Sequence, residues 1–215
     1  MSIKKLASET AIYGVSSILG RILNFALVPL YTQLLPPDDY SVVIELYALI
    51  AFVMVFFTYR IEVAYFRFGT DKTLNRKTTF NTALSSLFVS TVILGLLSTF
   101  LVPAYATNEN LQAFQAYIYL CVGIICLDTL CELPYAELRL SGRPIRFATI
   151  RLANIFTNLG LNLFFLKVCP WILEHESLVT LHPIVSNIYS PDVGIGYIFI
   201  ANFVASCLSF VLLSP

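Results

Sequence analysis

From Phe80 to Val102 the chain carries no charged side chain. An α-helix needs about 20 mostly apolar residues to cross the roughly 30 Å hydrocarbon core of a bilayer, and this run supplies them. In hydrocarbon every backbone N–H and C=O must pair inside its own segment, so an apolar run of this length is a helix and not a strand. Five further runs read the same way: Glu9 to Leu35, Ser41 to Phe66, Leu111 to Leu133, Phe147 to Trp171, and Val193 to Leu213, the last again without charge. The chain is 58% hydrophobic and 12% charged, whereas a soluble domain is nearer half apolar and a quarter charged. One buried core cannot absorb that excess. The expected architecture is an all-α integral membrane protein, one bundle of six transmembrane helices over residues 1–215, with the lipid bilayer as its first partner.

The connectors carry turn chemistry. Tandem prolines in Leu34 to Tyr40 (LLPPDDY) stop the first helix, and short polar loops surround Lys72 and Gly142. The longest connector, His175 to Asp192, holds both histidines. Cys121, Cys126 and Cys131 are spaced by five, which turns each about 140° from the last on a helix. They share no face, so the cysteines read as small packed hydrophobes rather than a metal site.

Orientation follows from the placement of cations. Lys4, Lys5, Arg67, Lys72, Arg76, Lys77, Arg139, Arg143 and Arg146 fall on one side of the spans. The other side has Lys167 and the acidic Asp38, Asp39, Glu109, Glu174, Glu176 and Asp192. The positive-inside rule places the first set, and with an even span count both termini, in the cytoplasm. Overall, Lys plus Arg balances Asp plus Glu at 13 each, so no excess of positive charge points to nucleic acid.

Charges at membrane depth cost about 2.5–3.5 kcal/mol each on insertion scales, so each asks for a reason. Thr10, Gly14, Ser17, Arg21 and Asn24 recur at steps of three or four, which is one helix face. Arg151, Asn154, Asn158 and Asn162 form a second stripe, and Asp128 and Glu132 lie one turn apart on the fourth span. Arg60 and Glu62 stand toward the cytoplasmic end of the second. Helix glue is one account: amides bond across helices, and a buried Arg pairs with a carboxylate. Folding the fourth and fifth spans about their loop sets Arg151 level with Asp128 and Glu132, which predicts a contact. Arg21 is far from either interface, and a cavity-lining role fits it better, because guanidinium grips phosphate oxygens in a fork. No catalytic constellation, phosphate-cradling Gly loop or HExxH is present, so an enzyme is not expected and no cofactor is implied.

The segments SETAIYGVSSILGRILNFALVPLYTQLLPPDDYSVV, ELYALIAFVMVFFTYRIEVAYFRF and CLDTLCELPYAELRLSGRPIRFATIRLANIFTNLGLNLFFL resemble the Wzx-like lipid-linked oligosaccharide flippases of polysaccharide biosynthesis. These belong to the multidrug/oligosaccharidyl-lipid/polysaccharide exporter superfamily. The resemblance covers nearly the whole chain, most specifically at Gly20-Arg21, Tyr31-Thr32, Glu62 to Phe68 and Asp128 to Arg146. It implies two six-helix lobes around a cavity that opens to each side in turn, in a bacterial cytoplasmic membrane. The cargo would be a polyprenyl-diphosphate-linked glycan. Arg21 would take the diphosphate, and the faces around Ser17 and Asn24 and around Asn154 and Asn158 would form the cavity wall. Independently of the resemblance, their depth in the spans marks Asp128, Glu132, Arg151, Arg60 and Glu62 as intramembrane charges that pair.

Members of that family are roughly twice this length, so the chain is expected to be one lobe, its partner a missing second lobe or a second copy. Tyr40-Ser41 and Tyr59-Arg60 stand where the family pattern has Tyr-Gly. Two alternatives accompany the flippase expectation: a multidrug exporter using Asp128 and Glu132, and a non-transporting remnant or membrane scaffold.

Overall fold

The computed structural model describes residues 27–71, 73–109, 111–175 and 182–214, together with positions 11, 13–16, 18, 19, 22 and 25. Ser17, Arg21 and Asn24 lie outside the described residues, so the first polar stripe is without a described geometry. All regular structure among the described residues is helical. The elements are α1 (Leu27–Leu34), α2 (Pro37–Thr58), α3 (Ile61–Gly69), α4 (Arg76–Asn108), α5 (Gln115–Leu140), α6 (Pro144–Leu163), α7 (Cys169–Glu174), α8 (His182–Ile188) and α9 (Gly196–Leu213).

Five helical stretches among the described residues are long and apolar enough to cross a membrane: Pro37–Gly69, Arg76–Asn108, Gln112–Leu140, Pro144–Glu174 and Gly196–Leu213. They correspond to the second through sixth runs read from sequence. Most extend beyond the apolar runs, because helix propensity and caps carry them into polar sequence. The Asn75 side chain, for example, accepts from the Lys77 and Thr78 amides and starts α4 upstream of Phe80. At 33 residues α4 is about 50 Å long, more than the hydrocarbon alone requires. The connector from His175 to Asp192 contains α8 and leads into a short 3-10 turn at Pro191–Val193.

The burial pattern is that of a body solvated by something apolar. Val89, Ile93, Leu96 and Phe100 of α4 all point outward, Phe100 with 80% exposure. Exposed apolar area on this scale is a liability in water and a requirement in lipid. The interior is organised around α5, which packs against α2, α3, α4, α6 and α9. Close approach is secured by small residues: a Cβ on Gly95 of α4 would sit 2.9 Å from Cys126 Sγ. One core cluster joins Leu27, Tyr31, Val43, Leu46, Ile118, Ile198 and Phe199, while a second joins Ile61, Tyr65, Leu87, Leu133 and Ala136 near the basic end.

The second span is broken. Tyr59 and Arg60 both have positive φ, 31° and 56°, so the chain leaves the right-handed helix for two residues between α2 and α3. The Tyr59 amide still donates to Val55 O at 3.1 Å, and the Val63 amide donates to Arg60 O at 3.0 Å, so the break keeps its backbone bonded. Left-handed backbone favours glycine, since a Cβ then crowds the following carbonyl at a cost of about 1–2 kcal/mol per residue. The Tyr-Arg pair thus stands where the backbone geometry would favour glycine.

Candidate polar cleft and its charged neighbours

Arg60 and Glu62 belong, with Asp128, Glu132 and Arg151, to the set read as intramembrane charges that pair; in the structure Glu62 pairs with Arg139 at 2.7 Å. The left-handed turn at Arg60 directs consecutive helices differently, and among the described residues Arg60 closes no ion pair. Arg139 also lies over the Phe66 ring, 5.2 Å from its centroid. A second ion pair, Arg76 to Glu137 at 2.8 Å, belongs to a larger network. Arg76 Nε also approaches Glu137 Oε2 at 3.3 Å, Arg76 Nη2 donates to Ser141 Oγ at 2.6 Å, and Ser141 donates to Glu137 Oε1 at 2.7 Å. The Tyr65 hydroxyl donates to the same carboxylate. These bonds tie α3, α4 and α5 together at the basic end. Neither pair was read from sequence, because Glu137 and Arg139 belong to a stretch that looked like loop margin rather than helix.

A polar cleft lies between α1, α2, α5, α6 and α9, with a volume of about 650 Å³. Its wall mixes aromatic and polar groups: Tyr31, Tyr40 and Tyr47 on one side, and Asp128, Arg151, Asn154, Asn158 and Asn202 on the other. A smaller pocket of about 160 Å³ shares Asp128, Arg151, Asn154 and Asn202 with it and adds Glu132, Tyr135, Ser206 and Ser209. Asp128, Glu132 and Arg151 therefore meet at one polar tract, as the fold-back of the fifth span predicts. The direct ion pair does not form. Arg151 instead sits over the Tyr135 ring, 5.5 Å from its centroid, and remains exposed to the cleft side of the bundle. A guanidinium stacked on an aromatic face keeps its in-plane donors available to other acceptors.

The asparagine stripe divides into two jobs. Asn154 donates to Ala205 O at 2.8 Å and Ser209 Oγ at 2.9 Å, which fastens α6 to α9. Asn162 is fully buried and donates to Asn158 O and Oδ1 at 2.8 and 2.9 Å, while its own Oδ1 accepts from the Tyr31 hydroxyl at 2.9 Å. That relay holds α1 against α6 and orients Asn158 at the cleft. Tyr47 and Asn202 were not singled out in the sequence, and Tyr31 only as part of the resemblance. Tyrosines are ordinary in apolar runs, and only the packing of α2 and α9 shows that these face the cleft.

Comparison of the chain with known protein families, with curated proteins and with solved structures finds no match.

Proposed function

We propose that the chain is one lobe of a membrane transporter that moves a polyprenyl-diphosphate-linked oligosaccharide across a bacterial cytoplasmic membrane. In this reading six helices span the bilayer, both termini are cytoplasmic, and the cleft faces a second wall supplied by another lobe or a second copy. The observation that carries it is the cleft itself: about 650 Å³, lined by an exposed guanidinium, three asparagines and three tyrosines on helices whose outer faces are apolar. Amides and phenols suit sugar hydroxyls, and the cation suits diphosphate oxygens. Arg21 and Asn24 precede Val28 and Tyr31 by steps of three and four in sequence, and the reading extends the cleft wall to them.

The test is reconstitution of the chain in vesicles that carry a fluorescent polyprenyl-diphosphate disaccharide, alone and with a candidate partner lobe. Protection of the sugar from an external glycosidase reports its leaflet. Loss of exchange in Arg21→Ala and Arg151→Ala supports the reading, and exchange indifferent to both overturns it.

One observation favours a second reading, export of an amphiphilic cation. Asp128 and Glu132 both line the polar tract without an ion-pair partner among the described residues. Efflux of ethidium that depends on Asp128 and Glu132, with no glycolipid exchange, would favour it.

A further inference from the structure

α4 and α9 pack on different sides of α5 and leave a trough between them. It has a volume of about 740 Å³, shares no lining residue with the polar cleft, and is bordered by the exposed Phe88, Val89 and Phe210. Its walls are Leu84 and Phe88 of α4, Leu130 and Pro134 of α5, and Phe210 and Leu213 of α9. At the basic end the trough closes on Arg143 and Arg146, both exposed. Among the described residues neither joins an ion pair. Arg146 Nη2 rests 3.4 Å from Leu212 O, which holds its guanidinium over the trough end. Glu137 also borders this end, but Arg76, Ser141 and Tyr65 already take up its oxygens.

We propose that this trough binds an anionic phospholipid, with an acyl chain along Leu84, Phe88 and Pro134 and the phosphate between Arg143 and Arg146. The charge pattern selects this occupant. A groove apolar along its length and doubly cationic at one end complements a molecule that is apolar along its length and anionic at one end. Basic pockets between spanning helices recognise lipid headgroups through the same pairing. A second copy of the chain is a poorer fit. Of the carboxylates placed at that level, Glu62 and Glu137 are in ion pairs, and Asp71 is folded into its own turn with Thr73. The inference needs only that the chain is embedded in lipid, and it does not depend on what the polar cleft carries.

The experiment is native mass spectrometry of the purified full chain titrated with phosphatidylglycerol and phosphatidylcholine of identical acyl chains. The parent chain is expected to bind phosphatidylglycerol at least ten-fold tighter. Arg143→Gln and Arg146→Gln should each lower that affinity about five-fold, as loss of one interfacial cation does, with phosphatidylcholine binding and thermal unfolding unchanged. Lys at either position should keep most of the preference, because the phosphate needs charge more than a planar fork. Ser85→Trp, which fills the trough wall, should lower binding of both lipids. Equal affinity for the two lipids, a preference that survives the double Gln variant, or a dimer that excludes lipid from the trough would each overturn the proposal.

Discussion

Replacing Arg60 by glycine should stabilise the protein, although it places glycine inside a spanning stretch. Arg60 has φ 56° and ψ 31°, the left-handed helical region. Relief of that conformation is worth about 1–2 kcal/mol. Glycine returns about 0.5–1 kcal/mol of this by widening the unfolded ensemble. The side chain adds little to the balance. It is exposed and closes no ion pair among the described residues. It also stands at the C-terminal end of α2 and the N-terminal end of α3, where the two helix dipoles act on a cation in opposite senses. The net expectation is a gain of about 0.5–1 kcal/mol, or about 1–4 °C in melting temperature for a chain of this size.

The molecule supplies its own reporter. Cys121, Cys131 and Cys169 are free and buried, so a thiol-reactive fluorophore in detergent lights up as the bundle opens. Two controls separate strain from other causes. Phe56→Gly, on the regular part of α2 and similarly exposed, should destabilise by about 1 kcal/mol. Arg60→Ala removes the charge and keeps the Cβ, so it should give no comparable gain. If Arg60→Gly melts as low as Phe56→Gly, or if Arg60→Ala matches the glycine variant, the strain argument is wrong.

The remaining predictions concern orientation, the basic end and one turn. In a cysteine-free background, Asn187→Cys should be labelled by a membrane-impermeant maleimide added outside whole cells and Leu74→Cys should not, since the positive-inside rule assigns the Lys/Arg-rich loops to the inside; the reverse pattern would invert the topology. Glu137→Ala should cost about 1–2 kcal/mol and several degrees in the same thiol assay, because it strips partners from Arg76, Tyr65 and Ser141 at a half-buried site. The bonds that Asp71 accepts from the Thr73 amide and hydroxyl, 2.8 and 2.7 Å, hold its carboxyl below the usual carboxylate range. The turn's contribution is therefore present at neutral pH and lost as pH falls through the folded pKa, so protection of the Thr73 amide from hydrogen exchange should drop on acidification. Unchanged protection below pH 3 would sink that assignment.

Long-range order in this fold is legible where it depends on hydrophobic length and on one-dimensional spacing. The uncharged run from Phe80 to Val102 announces α4, and the step of four between Asp128 and Glu132 puts both on the polar tract of α5. Partner choice is less legible. Glu62 and Arg60 are two residues apart, and on an unbroken helix that spacing already points them about 200° apart. The two left-handed residues remove even that guide, and Arg139 from another helix takes the carboxylate. A backbone break at non-glycine residues leaves no compositional mark, so nothing local in Tyr59-Arg60 reveals it.

The asparagine stripe shows how far spacing reaches toward function. Steps of four place Asn154, Asn158 and Asn162 on one side of α6, and the structure keeps them there. Yet the same spacing fits glue and cavity wall alike, and the residues divide between the two. Asn154 spends its amide on α9, Asn162 spends its amide on Asn158 and its carbonyl on Tyr31, and Asn158 accepts one bond while facing the cleft. What decides the role is whether the partner helix offers a free acceptor. α9 does, through Ala205 O and Ser209, whereas the α2 face offers tyrosine rings. A polar residue opposite an aromatic wall stays available to a ligand, and that opposition makes Asn158 and Arg151, rather than Asn154, the groups of the described cleft best placed to meet a cargo.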